Sequence, residues 1–314
     1  LRKVNKLTHT PVMVDEVMKI LEPKSKKLYV DATFGQGGYT KEIFKNCNNC
    51  KIIAIDRDPN SKKYIKKYQS SYKTKFFFFN KRFSQLRRII EKFGEKIDGI
   101  VFDLGLSNTQ LEDPSRGFSF NSDGPLDMRM GNQNDSKITA EKIINEFSKR
   151  DLSDIFFRFG EEKKSFKIAR AIISERKKNK ITSTAQLSAI INSLGLQKKY
   201  RINRATRSFQ ALRIFINEEL NELKDTLESI PSILNKDGKI VVVSFHSLED
   251  RIVKNFFKEN SGVFYNNYRN NPPSVLHKTQ TLSIITKKPI SPKFSEIKKN
   301  PRSRSAKLRA ATKI

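Results

Sequence analysis

The sequence predicts an α/β fold, a parallel sheet interrupted by a large helical insert, and three observations predict it. Short apolar runs, "KLYVDAT", "KIIAID", "KFFFFN" and "DGIVFDLG", recur early in the chain with helix-like segments between them. Strands that alternate with helices imply parallel pairing. The next convincing strand, "KIVVVSF" at 239–245, follows only after about a hundred residues, where a parallel crossover needs about a dozen. The intervening segment reads as helix.

Taken in order, Val14, Val17, Met18 and Leu21 recur at helical spacing and predict an opening amphipathic helix. The first strand runs into "TFGQGG" and then toward a helix. After the second strand, Asp58 and Pro59 are the N-cap and first residue of another helix. In the insert, Ile143, Ile144 and Phe147 form one apolar set and Phe166, Ala169 and Ile173 a second. Ser183 with Gln186 is a capping box, followed by Leu187, Ile190, Ile191 and Leu194 and a stop at Gly195. One long helix, with Phe209, Leu212, Ile216, Leu220 and Leu223 on one face, is expected to lead back to the sheet. Asp237-Gly238 then turns into 239–245, "TLSIITKK" is a late strand, and "NPRSRSAKLRAATK" is expected to be a flexible basic tail. The expected organisation is a sheet domain of residues 1–109 and 211–314 with a helical insert at 110–210.

Composition bounds the partner. Lys and Arg number 62 against 33 acids, a net charge of +29 over 314 residues. Such an excess attracts polyanions, nucleic acid above all; a Lys-, Asn- and Ile-rich genome bias is the competing source. An apolar content of 37% with 23 Phe supports a folded core. No run approaches the roughly 18 apolar residues of a membrane span. The basic start lacks an apolar core and cleavage site, so a cytoplasmic location is expected. Cys47 and Cys50 form a lone "CNNC" without further ligands at metal spacing; no metal is expected, and the pair reads as two reduced loop thiols.

The chemistry concentrates at strand ends. Gly35, Gly37 and Gly38 can take positive φ and bring backbone N–H groups close to a ligand, with a helix N-terminus behind them. A dinucleotide fingerprint would place a third glycine at position 40, where Thr40 stands. The pattern is nearer the first motif of methyltransferases that use S-adenosylmethionine. Asp56 ends the second strand where an acid accepts ribose hydroxyls, which fits either cofactor. Asp103 ends the fourth and points to the same crevice. The loop 113–130 mixes Gly, Pro, Asp and Arg with Phe118, Phe120, Leu126 and Met128, equally suited to facing a substrate or to connecting into the insert. Ser244 and His246 end the fifth strand, with Ser247 as the expected N-cap. No G-x-S-x-G elbow of a hydrolase is present.

"HTPVMVDEVM", "DATFGQGG", "AIDRDP", "DGIVFDLGLS", "RGFSFNSDGPLDMRM", "ATRSFQALRIFINEEL", "SFHSLEDRIVK" and "NPRSRSAKLR" together resemble the bacterial 16S ribosomal RNA cytosine-N4 methyltransferases, the RsmH/MraW family. The resemblance spans nearly the whole chain. It implies a Rossmann-like class I methyltransferase sheet with an inserted all-helical domain that recognises the substrate. It also implies that S-adenosylmethionine donates a methyl group to N4 of cytidine 1402 in 16S ribosomal RNA, free or within the small subunit. The family's cofactor contacts fall on Gly37, Gly38, Tyr39, Asp56, Phe83, Asp103 and Gln110. Tyr39 stands where members often carry His, and "SNTQ" where they carry "SSPQ". Asp103, with Ser107, Asn108 and His246, is the candidate set around the cytosine amino group; the N/D-P-P-Y motif of many amino methyltransferases is absent. Arg204, Arg207, Arg302, Arg304, Lys307 and Arg309 are candidate phosphate contacts. A nicotinamide dehydrogenase and a non-catalytic RNA-binding assembly factor are the competing classes.

Overall fold

The computed structural model describes residues 11–47, 49–131, 136–195, 203, 205–262 and 280–314. The chain divides into two compact units, one of Leu1–Gly105 with Leu220–Ile314 and one of Leu106–Glu219. The divisions, at 105/106 and 219/220, fall four and nine residues from the expected 109/110 and 210/211.

The first unit opens with α1 (Val14–Leu21), β1 (Leu28–Asp31), α2 (Gly38–Asn46), β2 (Lys51–Ile55), α3 (Lys62–Tyr72), β3 (Phe76–Phe79), α4 (Leu86–Phe93) and β4 (Ile97–Asp103). The second holds α5 (Asn108–Glu112), α6 (Ala140–Glu146), α7 (Lys149–Gly160), α8 (Ser165–Arg176), α9 (Thr184–Ser193) and α10 (Ala205–Asn217). The chain then returns through α11 (Glu219–Ile233), β5 (Leu234–Ser244), α12 (Ser247–Asn260), β6 (Leu282–Ile284), α13 (Phe294–Lys299) and β7 (Lys307–Lys313).

The sheet order is β3-β2-β1-β4-β5-β7-β6. The first five strands in sequence are parallel, and β7 runs antiparallel between β5 and β6. Alternate residues serve opposite faces. Val30, Ile53, Ile55, Ile100, Phe102, Ile240 and Val242 join one core with α4, α11 and α12. Tyr29, Ile52, Ala54, Val101, Val241 and Val243 join the other with α1, α2 and α3. Both faces are covered, which is why these strands read as nearly continuous apolar runs. From β1 the chain builds outward to β3, then crosses back to place β4 on the other side of β1. That reversal creates a crevice at the carboxyl ends of β1 and β4.

Three local expectations change. The tail is not free: its last part is β7, with Leu308 and Ala310 in one core and Ala311 in the other. Its two-residue period was hidden because the alternating positions are mostly small alanines among cations. The expected long helix is two helices, since Glu218 adopts φ 55°. Phe209, Leu212 and Ile216 enter the helical unit's core, whereas Leu223 enters the sheet's. Asn217 sits at the break: its amide donates to the Met128 carbonyl and accepts from the Met130 N–H, both at 2.8 Å. The same bonds tie the 113–130 loop down, and Phe118, Leu126 and Met128 are buried in the helical core. On α8 the buried face is Ile168, Ala169 and Ile172, leaving Phe166 exposed. As expected, Cys47 and Cys50 are free thiols in the connection between α2 and β2; both are buried, and the Cys50 thiol lies 3.0 Å from the Cys47 carbonyl.

Candidate active site at the carboxyl ends of the strands

The glycine turn is held by its own strand ends. Gly35, at φ 54°, donates its N–H to Asp56 Oδ2 at 2.6 Å. Gly37, at φ 80°, is the N-cap of α2; a Cβ there would stand 2.6 Å from the Tyr68 ring, so glycine is required twice over. The Tyr68 hydroxyl donates to the Gly37 carbonyl at 2.7 Å and closes the turn. Thr40, in the place of a dinucleotide fold's third glycine, donates its N–H (3.1 Å) and its hydroxyl (2.7 Å) to Asp31 Oδ2. Asp31 is fully buried and its Oδ1 has no hydrogen-bond partner. From sequence, Thr40 served only to set aside a dinucleotide fingerprint and Asp31 carried no site role, although the strand-end rule that marked Asp56 and Asp103 applies equally to Asp31.

Three carboxylates therefore end three neighbouring strands. Burial raises Asp31 to about 6, opposed by the donors from Thr40. Burial raises Asp56 to about 7, opposed by the N–H groups of Asp58 (2.7 Å) and Gly35. Asp103 is raised to about 8, first by burial and then by the negative charges of Asp31, Glu249 and Glu296. Its N–H donates to Thr33 Oγ1 at 2.7 Å, while its side-chain Oδ1 is buried without a partner. Unmatched acceptors and mutually repelling carboxylates favour a ligand that brings positive charge and hydrogen-bond donors. Among the described residues no group of three His, Cys, Asp or Glu is arranged to hold a metal ion.

The remaining expected residues sit as follows. The Tyr39 ring is buried and its hydroxyl donates to the Val12 carbonyl, with burial driving its pKa well up. Any cofactor contact at this position is left to its backbone. Phe83, in a 3₁₀ turn after β3, packs edge-on against Phe102 with centroids 5.7 Å apart. His246, not Ser247, caps α12: its Nδ1 accepts the Glu249 N–H at 3.4 Å, and Glu249 Oε2 accepts the Phe245 N–H at 2.8 Å. Ser244 is buried, its hydroxyl 3.3 Å from the Lys307 carbonyl. In the helical unit, Ser107 caps α5 and Gln110 completes a capping box, its Oε1 accepting the Ser107 N–H at 2.9 Å. Asn108 is the first residue of that helix.

The basic candidates separate. Arg207 is exposed, with Nη1 3.4 Å from the Glu161 carbonyl. Arg302 and Arg304 are exposed on a 3₁₀ turn before β7. Arg309 is a correction: it is only 8% exposed and grips Asp250 at 2.6 and 3.3 Å. Its guanidinium is thereby committed to α12 rather than to phosphate, and Lys307 Nζ lies 3.3 Å from the same carboxylate. Arg204 lies outside the described residues.

The chain resembles known proteins along its whole length. It is 47% identical over 308 residues to a ribosomal RNA small subunit methyltransferase H of Rickettsia bellii, covering 98% of this chain and 99% of the relative. The corresponding protein of Ehrlichia canis is 45% identical over 309 residues, covering 98% and 100%. A solved rRNA methylase from Streptococcus thermophilus aligns at a TM-score of 0.41 and 10% identity, covering 96% of this chain and 93% of that one. The profile of the MraW methylase family matches residues 6–314, and with such full-length identity to its relatives the chain belongs to that family.

Proposed function

We propose that the protein transfers a methyl group from S-adenosylmethionine to the N4 amino group of cytidine 1402 in 16S ribosomal RNA. The observation that carries this reading is the glycine turn set among three strand-end acids, Asp31 buried and Asp56 and Asp103 half-buried, of which Asp31 and Asp103 each hold a buried unmatched oxygen, in a member of a methylase family. The residues fit the cofactor. Gly35 leaves open space for a close backbone approach, with nothing nearer its Cβ position than the Thr33 carbonyl at 3.9 Å, while Gly37 and Gly38 shape the turn against Tyr68 and Pro11; Asp56 is the acceptor for ribose hydroxyls, and Asp31 and Asp103 face positive charge. Phe83, Gln110 and the Tyr39 backbone are further contacts implied by the family resemblance. When bound, the cofactor supplies an activated methyl group.

What the chain must add is alignment and proton handling. The cytosine N4 lone pair is delocalised into the ring, so the protein holds that nitrogen in line and excludes water. Positive charge held beside Asp103 favours its ionised form. Ionised Asp103 then accepts a hydrogen bond from the amino group as charge develops there. His246, steadied by its capping box, is assigned to the base edge; Ser107 and Asn108, which follow Asp103 in sequence, are further candidates. The target base has to be unpaired or flipped out to react.

The helical unit is assigned to substrate recognition, and Arg204, Arg207, Arg302, Arg304 and Lys307 to phosphate contacts. A cytoplasmic location follows from a ribosomal substrate; among the described residues no helix is long and apolar enough to cross a membrane. The test is methyl transfer to small-subunit particles lacking the modification, with the modified nucleotide mapped. Label on N4 of that cytidine is expected from the unaltered chain and none from Asp103→Ala. Near-normal turnover by Asp103→Ala, or label at another atom, would overturn the assignment.

A further inference from the structure

Two phenylalanines of the helical unit stand in solvent. Phe157 on α7 is 60% exposed and Phe166 at the start of α8 is 54% exposed. Both helices already have complete buried faces, Leu152, Ile155 and Phe156 on α7 and Ile168, Ala169 and Ile172 on α8. The two rings lie along one seam. The hydroxyls of Ser153 and Ser165 meet at 3.1 Å and join α7 to the first turn of α8. Phe157 is one helical turn past Ser153, and Phe166 is the neighbour of Ser165. Lys149, one turn before Ser153, holds its Nζ 4.8 Å from the centre of the Phe166 ring.

The charge around this seam narrows its partner. Lys163, Lys164, Lys167 and Arg170 are exposed, and their side chains pair with no carboxylate among the described residues. Cations alone would suit any polyanion. Flat apolar rings among unpaired cations suit a polyanion that also presents π faces, which is a chain of unpaired nucleotides. An RNA duplex keeps its bases stacked inside and offers the protein mainly phosphates and 2′-hydroxyls.

We infer that the α7–α8 seam binds a single-stranded stretch of the RNA substrate, with bases stacking on Phe157 and Phe166 and phosphates meeting the surrounding lysines. This rests on the RNA substrate proposed above and adds where, and in what form, the RNA is held.

The test uses the full chain with Phe157→Ala, Phe166→Ala and both together. Each is titrated with a fluorescein-labelled single-stranded RNA of the decoding-region sequence and with a duplex of the same length. Each alanine is expected to weaken single-strand binding about fivefold or more, to change duplex binding less than about twofold, and to leave S-adenosylmethionine affinity unchanged. Phe166→Tyr keeps the ring and is expected to keep affinity. The chain contains no tryptophan, so Phe166→Trp introduces a single fluorophore whose emission is expected to be quenched by single-stranded RNA. Unchanged single-strand affinity in the double variant would overturn the inference, as would equal losses for strand and duplex. Weaker binding to small-subunit particles with RNA affinity intact would show that the seam docks a protein, and would also overturn it. Absence of methyl transfer by the unaltered chain is a separate result that would sink the proposed reaction instead.

Discussion

Asp103→Asn keeps the shape of the side chain at the end of β4 and removes its charge. In the folded protein that carboxyl titrates at about 8, against 3.8 for an unperturbed aspartate, chiefly because it is buried beside other acids. In the unfolded chain it ionises near 3.8. Between these values the folded state still holds a proton that the unfolded state has released. The stabilisation is therefore fully present below the lower value and is lost as pH rises through the upper one. Each tenfold difference in proton affinity between the two states corresponds to about 1.4 kcal/mol, and solvent relaxation around an incompletely enclosed group reduces the whole effect to about 2–3 kcal/mol. Asparagine does not titrate and is spared this loss. For a chain of 314 residues about 2–3 kcal/mol moves the melting temperature by about 3–5 °C. Thermal unfolding of the cofactor-free protein at pH 5 and pH 8.5 reads the difference. Relative to the parent, the variant is expected to gain most of that amount at pH 8.5 over its value at pH 5, since pH 5 already lies above the lower value, while methyl transfer falls at least about a hundredfold. A pH-independent difference between the two proteins, or a variant that loses ground as pH rises, would refute the account of Asp103 as an unmatched buried acid.

Other expected outcomes follow from single contacts. Gly37→Ala forces a left-handed alanine and pushes the Tyr68 ring off the Gly37 carbonyl, costing about 2–4 kcal/mol; chemical denaturation and cofactor titration should both register it, and a loss below about 1 kcal/mol would mean the turn is softer than its geometry. Asp250→Ala leaves the Arg309 guanidinium buried without its carboxylate and is expected to cost about 3–5 kcal/mol, whereas an exposed-tail reading of Arg309 predicts almost none. RNA affinity should fall linearly with salt on logarithmic axes, and Arg207→Ala should lower that slope by about 0.7 if the residue meets one phosphate; an unchanged slope removes Arg207 from the interface.

Much of the sheet was legible because its strands are covered on both faces. "KIIAID" and "KIVVVSF" then announce themselves by composition alone, and a strand's last residue is a position that local reading can find. Asp56 and Asp103 were found that way, and Asp31 could have been. The helical insert was legible by its length, since no parallel crossover needs so many residues. β7 was not: its alternation is carried by alanines, which give little signal against flanking cations. Phe166 shows a different failure. Two apolar sets on α8 overlap, and only packing against α7 selects Ile168, Ala169 and Ile172 over the set that contains the ring.

The sequence by itself determined the strand–turn–helix units, the glycines that bend the first turn and the acids that end the strands, because each depends on neighbours a few residues away. Tertiary structure alone decided that Thr40 serves Asp31, that Tyr39 is anchored on Val12, and that Arg309 is neutralised by Asp250. The reason is physical. A side chain's charge state and free hydrogen-bonding capacity depend on whatever is packed against it, and for Arg309 that partner lies 59 residues away along the chain.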